Sequence, residues 1–403
     1  MIRFIHAADL HLDTPFSGLE QTSKTLAEKL REAPFESLAK IVDIAIEKAV
    51  DFVLFSGDLY NTKRVNIKAQ SLFIEHLNRL NKADIPVYLI RGNHDYLTEE
   101  AQKLALPFPK NVYTYGPDVE THILETKNKE RIAITGFSYD TQWVTERKIK
   151  KYPKRRPDVN LQIGLLHGDI ETSLTREANY APFTLAELRE KNYDYWALGH
   201  VHQRQQIAEQ PSVYYPGNIQ GLHKNETGEK GCLFVEWTPR EQHVQFIPTA
   251  PVIWESMTLE LSEIENVSDL IQAMQEAIAE KEYKQDVLIN LIIKAKTDDD
   301  EDLIHFTQEK EFAEQLSKQL GVSNVWVASV ELIVEEATDQ QALQKMYPNE
   351  WDKVLRKAEK TTIFNELTER IFEQIPSRYL NQKNSKAYRE QMIQKAIAKL
   401  HLK

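Results

Sequence analysis

Short apolar runs alternate with amphipathic stretches along the first 250 residues of the chain. Apolar runs bounded by polar positions are typical of buried strands. Helical spacing of apolar residues runs from Phe35 to Ala49 and again from Ile67 to Leu80. Strands that alternate with helices indicate an α/β domain, and the closer spacing of the later strands indicates that part of the sheet is antiparallel. The predicted strands are Ile2–Ile5, Phe52–Phe55, Val87–Ile90, Ile132–Ile134, Ile163–Leu166, Tyr195–Leu198, Val213–Tyr215 and Leu233–Val235.

A different pattern begins near Trp254. It predicts a β-α-β-α-β unit with elements at Ser256–Leu261, Val267–Lys281, Val287–Ala295, Glu309–Leu320 and Val325–Val334. The acidic run Asp298–Asp302 is predicted to be a solvated loop. Beyond Asp339 the pattern is helical, with predicted helices at Trp351–Glu359, Thr361–Gln374 and Lys386–Leu402. We therefore expect three regions, which are an α/β domain at 1–250, a small α/β domain at 251–338 and a helical region at 339–403.

Composition narrows the class of protein. At 403 residues and 41% hydrophobic content, the chain is long enough for two or three domains with a sizeable core. It has one cysteine, Cys232, no apolar run of membrane-spanning length and no signal-peptide pattern at the N-terminus, so a cytoplasmic location is expected. The net charge of -11 argues against a uniformly basic nucleic-acid surface. Nucleic acid is still allowed as a substrate, because bound cations supply local positive charge.

Five short motifs each follow a predicted strand. In open α/β sheets the loops beyond the carboxyl ends of strands form the binding crevice, so these motifs are expected to converge. Carboxylates and neutral imidazoles bind divalent first-row cations, and a bridging carboxylate holds two cations roughly 3.5–4 Å apart. Each motif alone is typical of a turn or a structural histidine, but together they predict a two-metal site. The motifs are Asp9-Leu10-His11, Gly57-Asp58, Gly92-Asn93-His94-Asp95, His167-Gly168 and Gly199-His200-Val201-His202.

This set of motifs resembles the calcineurin-like metallophosphoesterases over roughly the first 240 residues. Within that superfamily the chain is most similar to the SbcD-type DNA repair nucleases, in particular their YhaO-like branch. The opening Ala8–Phe16, the segment Tyr215–Asn218 and the segment Glu229–Gly231 carry this closer resemblance. The resemblance implies a β-sandwich flanked by helices, a small α/β capping domain and a helical C-terminal tail.

The resemblance also implies roles for individual residues. One metal would be held by Asp9, His11, Asp58 and His202, and the other by Asp58, Asn93, His167 and His200, so that Asp58 bridges the two. A hydroxide between the cations would attack phosphorus. His94 would protonate the leaving oxygen or stabilise the phosphate, or else it only supports the ligands. Two divalent cations are expected, and oxygen and imidazole ligands suit manganese.

One position departs from the family pattern. Relatives often carry Asp or His near the catalytic histidine where this chain has Asn61, which puts general-acid catalysis by His94 in doubt. Asn61, Lys63 and Arg64 are the candidate substrate-binding residues. Asp13 is either near the metals or in a plain turn. The basic run Arg147–Arg156 either contacts a phosphate backbone or is a surface loop.

Three classes of function are compatible with these residues. The first, implied by the resemblance, is a metal-dependent nuclease that acts on DNA ends, with the tail docked on an SbcC-like coiled-coil ATPase. The second is a phosphatase or phosphodiesterase for a small molecule or a phosphoprotein, because the same metal site serves all these reactions. The third is a non-enzymatic scaffold with a relic site, against which the complete ligand set argues. A homodimer is also expected, with Phe73 and Leu77 as candidate apolar surface, and no membrane association.

Overall fold

The computed structural model describes residues 1–14, 24–61, 66–171, 180–264, 266–281, 283–296, 301–307 and 311–335, together with positions 309, 353 and 357. Lys63 and Arg64 therefore lie outside the described residues. The three helices predicted beyond residue 339 also lie outside them, apart from two single positions. Among the residues described, no helix is long and apolar enough to cross a bilayer.

Twelve strands form two six-stranded sheets in the first part of the chain. The first sheet has the order β12-β11-β1-β2-β3-β4 and the second has the order β5-β6-β7-β8-β10-β9. Both sheets have parallel central strands, with antiparallel pairing at β11 and β12 in the first and at β5 and β9 in the second. The predicted mixture of parallel and antiparallel pairing is therefore confirmed. The strands are β1 (Ile2–Ala7), β2 (Phe52–Ser56), β3 (Val87–Ile90), β4 (Val112–Thr114), β5 (Glu120–Glu125), β6 (Arg131–Gly136), β7 (Leu161–His167), β8 (Tyr195–Gly199), β9 (Gln205–Ala208), β10 (Ser212–Tyr215), β11 (Gly231–Trp237) and β12 (Gln242–Pro248).

The two sheets pack face to face because alternate residues of each buried strand point to opposite faces. In β1, Ile2 and Phe4 join a core that also contains residues of β6, β7 and β8. Ile5 and Ala7 of the same strand join a second core with the helices. The β-sandwich flanked by helices is thus confirmed. The helices of this part are α1 (Lys24–Glu47), α2 (Ile67–Lys82), α3 (Glu99–Leu104) and α4 (Leu185–Lys191).

The packing of α2 overturns one prediction, and the sequence before α4 explains where that helix begins. Phe73 and Leu77 lie on the buried face of α2, with exposed fractions of 0% and 1%. The suggestion that they offer apolar surface to a second copy is therefore wrong. On the other sheet, α4 begins at a capping box, in which Thr184 and Glu187 bond to each other's backbone N–H groups.

The predicted β-α-β-α-β unit is confirmed, with one additional helix. Its strands form a three-stranded sheet in the order β13-β14-β15. The helix α6 begins at Glu301, so the loop prediction is wrong for Glu301 and Asp302. Acidic residues are favoured in the first turn of a helix by its dipole, which explains how a run of acids begins one. The elements are β13 (Val252–Glu260), α5 (Val267–Lys281), β14 (Asp286–Lys296), α6 (Glu301–Thr307), α7 (Phe312–Leu320) and β15 (Val325–Glu335).

By its contacts the chain divides into two compact units. The first unit comprises 1–257, 275–290 and 313–329, and it contains both six-stranded sheets. The second comprises, within the described residues, 258–274, 291–312 and 330–335. The predicted domain limits at 250 and 338 stay predictions. All five motifs lie in the first unit.

Candidate metal centre

The five motifs lie at the carboxyl ends of β1, β2, β3, β7 and β8, and two of them begin with the last residue of a strand, His167 in β7 and Gly199 in β8. Backbone bonds from the Asp9 and His11 N–H groups to the carbonyls of Gly57 and Asp58, both 3.1 Å long, continue the pairing of β1 and β2 into these loops. Asp9, His11 and Asp58 have φ angles of 51°, 43° and 47°, and His200 has 102°. Positive φ costs a non-glycine residue about 1–3 kcal/mol and clusters at functional sites. Four of the nine described non-glycine residues with positive φ are therefore predicted ligands.

The first candidate group contains Asp9, His11 and His202. Asp9 and His11 are buried, with 0% and 1% exposed, and the two Nε2 atoms of His11 and His202 face each other at 3.1 Å. Burial raises the pKa of Asp9 and lowers the pKa of His11 to about 3. The Nδ1 atom of His11 is buried without a hydrogen-bond partner. The neutral imidazole that results is the form in which histidine binds metal.

The second candidate group contains Asp58, His167 and His200. The side-chain oxygen of Asn93 joins it, 2.9 Å from Nε2 of His167 and 3.1 Å from Nδ1 of His200. Burial acts to lower the pKa of His167, but the Asp58 carboxylate 3.3 Å away outweighs it and raises that pKa to about 9. In the same pair, burial would raise the pKa of Asp58, but His167 holds it far below its usual range.

Asp58 lies between the two groups. Its Oδ2 atom is 3.3 Å from Nε2 of His167 and 3.9 Å from Nε2 of His11. Its Oδ1 atom accepts a hydrogen bond from the backbone N–H of His94. Because one carboxylate reaches a histidine of each group, it has the placement that a bridging ligand needs.

The donors of both groups fit divalent cations. Oxygen and imidazole ligands 2.0–2.2 Å from a cation lie roughly 3 Å from one another, and the facing atoms above are 2.9–3.1 Å apart. Solvent hardly reaches Asp9, His11 and Asp58. A bound cation would therefore supply the favourable charge interaction that water cannot give these buried groups. Binding at His167 would release the proton that Asp58 now stabilises.

Three histidines have their outer ring nitrogens fixed by other groups. His167 donates from Nδ1 to the carbonyl of Ser56 (3.0 Å), His200 faces Asp169 from Nε2 (3.3 Å), and His202 faces Glu226 from Nδ1 (2.5 Å). Such partners fix the tautomer and orientation of a metal-binding imidazole. Neither carboxylate was among the residues predicted from the sequence. Asp169 immediately follows the motif His167-Gly168, which was a usable signal for it.

Glu226 is held in place by the segment that carries the closer family resemblance. Its Oε2 atom accepts from the side-chain amide of Asn218 (2.8 Å) and from the backbone N–H of Leu222 (2.7 Å). His223, which is 55% exposed, lies 3.2 Å from the Oε1 atom that His202 also contacts. Although burial acts to raise it, the hydrogen bond from His202 lowers the pKa of the Glu226 carboxyl to about 2. The carboxylate is therefore ionised at neutral pH.

His94 lies at the edge of the centre, with its ring 5.0 Å from the His11 ring. Its Nδ1 atom is 3.2 Å from the backbone carbonyl of Asn61, so this contact does not depend on the Asn61 side chain. The Asn61 N–H donates to Asp13 at 2.6 Å, which places Asp13 in the turn that shapes this loop. Since a carbonyl only accepts, Nδ1 carries the proton and Nε2 is the atom left to face a substrate.

Asp95 connects two of the loops that carry the motifs. It accepts from the backbone N–H of Leu59 (3.2 Å), next to Asp58, and of Gly92 (2.9 Å), next to Asn93. The Nη1 atom of Arg91 lies 3.6 Å from Oδ2 of Asp95, the oxygen that also accepts from Leu59. Asp95 thus holds the loops after β2 and β3 together.

The cations of the basic run are largely paired within the chain. Arg147 bonds to Glu171 and Glu187, Lys151 to Glu146, and Arg155 to Asp194. The Lys148 ammonium group, which is largely buried, donates to the carbonyl of Pro117 at 3.1 Å. These contacts favour the surface-loop interpretation of 147–156 over contact with a phosphate backbone.

Comparisons with known proteins agree with this geometry. Residues 2–204 match the family description "Calcineurin-like phosphoesterase". The chain is 36% identical over 296 residues to "Uncharacterized metallophosphoesterase YhaO" from Bacillus subtilis, covering 73% of this chain and 72% of that protein. It is 27% identical over 240 residues to "DNA double-strand break repair protein Mre11" from Sulfurisphaera tokodaii, covering 56% and 58%, and 26% identical over 255 residues to the protein of that name from Methanocaldococcus jannaschii, covering 60% and 65%. The chain spans less than two thirds of the length of these two Mre11 proteins.

With the family matched over half of its length and two groups of metal-binding side chains at the expected strand ends, the chain belongs to the calcineurin-like phosphoesterases.

Proposed function

We propose that this chain is a two-metal-dependent phosphodiesterase that cleaves DNA at its ends. The observation that carries the proposal is the position of Asp58, whose Oδ2 atom lies within 3.9 Å of a histidine in each candidate group. In this assignment Asp9, His11 and His202 hold one cation, Asn93, His167 and His200 hold the other, and Asp58 bridges them. Manganese is the proposed metal because the donors are carboxylate, amide and imidazole.

The chemistry is divided between the cations and the chain. Two cations held here would supply an activated water as nucleophile and positive charge for the transition state. His94 is the proposed catalytic residue that faces the leaving oxygen through Nε2, because its Nδ1 atom is occupied by the Asn61 carbonyl. The carboxylates of Asp169 and Glu226 keep His200 and His202 in a fixed orientation. Asn61, Lys63 and Arg64 are proposed to contact the substrate.

DNA is proposed as the substrate on the strength of the relatives. The Mre11 proteins are named for DNA double-strand break repair, and they match more than half of this chain. The relative with higher identity is named only as a metallophosphoesterase, which supports the reaction and leaves its substrate open. A partner is proposed on the same basis, namely a coiled-coil ATPase of the SbcC type that binds residues 339–403.

The test uses the purified full chain with manganese, end-labelled linear DNA and a chromogenic phosphodiester. Asp58→Asn removes the bridging carboxylate and should lower both activities by at least about 100-fold. Asp84→Asn is the matched control, because Asp84 is an exposed aspartate that also has a positive φ, 55°. Hydrolysis of the small diester without DNA cleavage, alone and with the ATPase present, would contradict the DNA proposal while leaving the phosphodiesterase in place.

Deletion of 339–403 tests the partner separately. The deletion should abolish co-elution with the coiled-coil ATPase in size-exclusion chromatography and leave hydrolysis of the small diester intact. A truncated chain that still co-elutes with the ATPase would show that the docking region lies elsewhere. The same elution profile, measured with light scattering, tests the predicted homodimer.

A further inference from the structure

An exposed tryptophan lies close to the candidate metal centre. Trp143 is 54% exposed, although large aromatic side chains are usually buried and the two tryptophans in the six-stranded sheets, Trp196 and Trp237, are at most 8% exposed. Its ring packs on Tyr180, with centroids 5.2 Å apart and planes 31° from parallel. Tyr180 in turn packs on His200, with centroids 4.4 Å apart and an angle of 38°. Three rings therefore lead from a predicted metal ligand to the surface.

The backbone holds these rings in place. Val144 forms a parallel bridge with Tyr180, and the Ala181 N–H donates to the Val144 carbonyl at 2.6 Å. The hydroxyl of Thr141 donates to the Trp143 carbonyl at 3.2 Å. Val144 itself is buried in the core on the outer face of the second sheet. The exposed face of Trp143 is thus presented by fixed backbone rather than by a free loop.

We propose that the exposed face of Trp143 stacks on a nucleobase of an unpaired nucleotide whose phosphate lies at the metal centre. This inference rests on the proposed nuclease function and adds to it a preference for single-stranded or frayed ends. A nucleotide that places its phosphate beside His200 carries its base a short covalent distance away, where the rings of Tyr180 and Trp143 lie. Inside a duplex the neighbouring base pairs cover both faces of a base, whereas an unpaired base can turn a face toward Trp143, and aromatic stacking accepts any base.

Charge supports stacking as the means of recognition. The neighbouring cation Arg147 is bonded to Glu171 and Glu187, so it is already neutralised within the chain. The whole chain carries a net charge of -11. A binding surface on such a protein gains more from apolar contact and from the metal centre than from free basic side chains.

The test measures binding of a labelled single-stranded oligonucleotide with hydrolysis-resistant phosphorothioate linkages, by fluorescence anisotropy in manganese. A second oligonucleotide lacks the bases of its terminal nucleotides. The full-length protein should bind the first about 5- to 150-fold more tightly, which is the range for stacking of one base. Trp143→Ala should remove this difference, and Trp143→Phe should keep much of it. Tyr113→Ala, which removes an exposed ring that packs on Tyr88 and His122, should behave as the unaltered protein.

Three results overturn or separate the proposals. Equal affinity for the two oligonucleotides in the unaltered protein, or a full difference that persists in Trp143→Ala, shows that Trp143 does not bind a base. Cleavage of an ordinary oligonucleotide in that case means that the nuclease proposal stands without the stacking surface. A Trp143-dependent preference without any cleavage means that the stacking surface is correct and the nuclease proposal fails.

Discussion

Each histidine of the Gly199–His202 motif points one ring nitrogen at other predicted ligands and the other at a carboxylate. His202 faces Glu226 at 2.5 Å, and Glu226 is itself fixed by Asn218 and the Leu222 N–H. A partner of this kind makes the imidazole a better ligand and prevents it from rotating. We therefore expect the Glu226 carboxylate to raise metal affinity without touching the metal.

Glu226→Gln is predicted to weaken one cation site and spare the other. The affinity of the Asp9, His11 and His202 group should fall about 10- to 100-fold, because an amide is a weaker partner for His202. Calorimetric titration of metal-free protein with manganese would resolve the two sites. Glu229→Gln makes the same charge change at an exposed position three residues away and should leave both affinities unchanged. Two unaltered sites in Glu226→Gln would mean that the contact to His202 has no effect on binding.

His6 allows a pH prediction that does not involve the metal centre. It is buried, and its Nε2 donates to the carbonyl of Leu198 while its Nδ1 accepts from the Tyr195 hydroxyl, each at 3.0 Å. Burial lowers the pKa of His6 from 6.5 to about 3. The unfolded chain therefore binds the proton more readily, and the stability that His6 contributes is complete above pH 6.5 and is lost as pH falls toward 3.

His6→Gln should reduce the loss of folding stability between pH 7 and pH 4. Glutamine can make similar hydrogen bonds and does not titrate, so the unaltered protein should lose up to about 3 kcal/mol more than the variant between pH 7 and pH 4. Urea unfolding at both pH values measures the difference. Losses from other groups occur in both proteins and cancel in the comparison. Equal losses in the two proteins would show that His6 is protonated in the folded state as easily as in the unfolded state.

At the scale of elements, the loops after the strands approach so closely that side chains are excluded. A Cβ atom at Gly92 would lie 2.3 Å from Oδ1 of Asp58 and 2.6 Å from Nε2 of His167. At Gly199 it would lie 1.9 Å from the carbonyl oxygen of Ser56. These glycines are therefore required by the contact between loops, since both neighbours are fixed by their own strands.

Gly92→Ala is predicted to separate metal binding from folding. The added methyl group must displace Asp58 or His167, so manganese affinity should fall by at least about 10-fold while the circular dichroism spectrum remains that of the folded protein. In Gly116→Ala the methyl group meets only the end of the Glu120 side chain, at 3.1 Å, and this variant is the control. If Gly92→Ala binds two cations as tightly as the control does, the loops are more tolerant than their contacts indicate.

The success of sequence-based prediction differs between central and edge strands. β3 is predicted with its observed limits, and β2 to within one residue, because central strands are continuous apolar runs. The four strands that the pattern missed, β4, β5, β9 and β12, are the four edges of the two sheets. Edge strands carry polar residues that discourage pairing with other chains. A search for continuous apolar runs therefore does not detect them.

The candidate site shows a similar division. Its ligands could be predicted because each belongs to a motif of fixed spacing after an apolar run. Glu226 could not, because it is 24 residues from His202 and acquires its role only when the Asn218 segment folds back beside it. The pairing of Arg147 with Glu171 and Glu187 was equally hidden, because ion pairs depend on which loops meet in the folded chain.

For the whole molecule, the distribution of charge limits how the proposed DNA substrate could be bound. The chain has 50 Lys and Arg residues against 61 Asp and Glu residues. Most cations of its most basic segment, 147–156, are paired with acids, among them Arg156 with Asp158 and Lys151 with Glu146. Each phosphate neutralised by a free cation adds about -0.7 to the slope of log affinity against log salt for a single strand. Because this segment has few free cations, we expect the affinity for DNA to depend only weakly on salt concentration.

We predict that the isolated chain binds single-stranded DNA with a slope smaller in magnitude than about 3 between 50 and 200 mM salt, a range over which screening changes strongly. Lys151→Gln removes a cation already paired with Glu146 and should leave the slope unchanged. If the slope is steep and Lys151→Gln reduces it, then 147–156 exchanges its internal acids for phosphates on binding. The basic run would in that case be part of the DNA-binding surface, and stacking at Trp143 would be the smaller contribution to affinity.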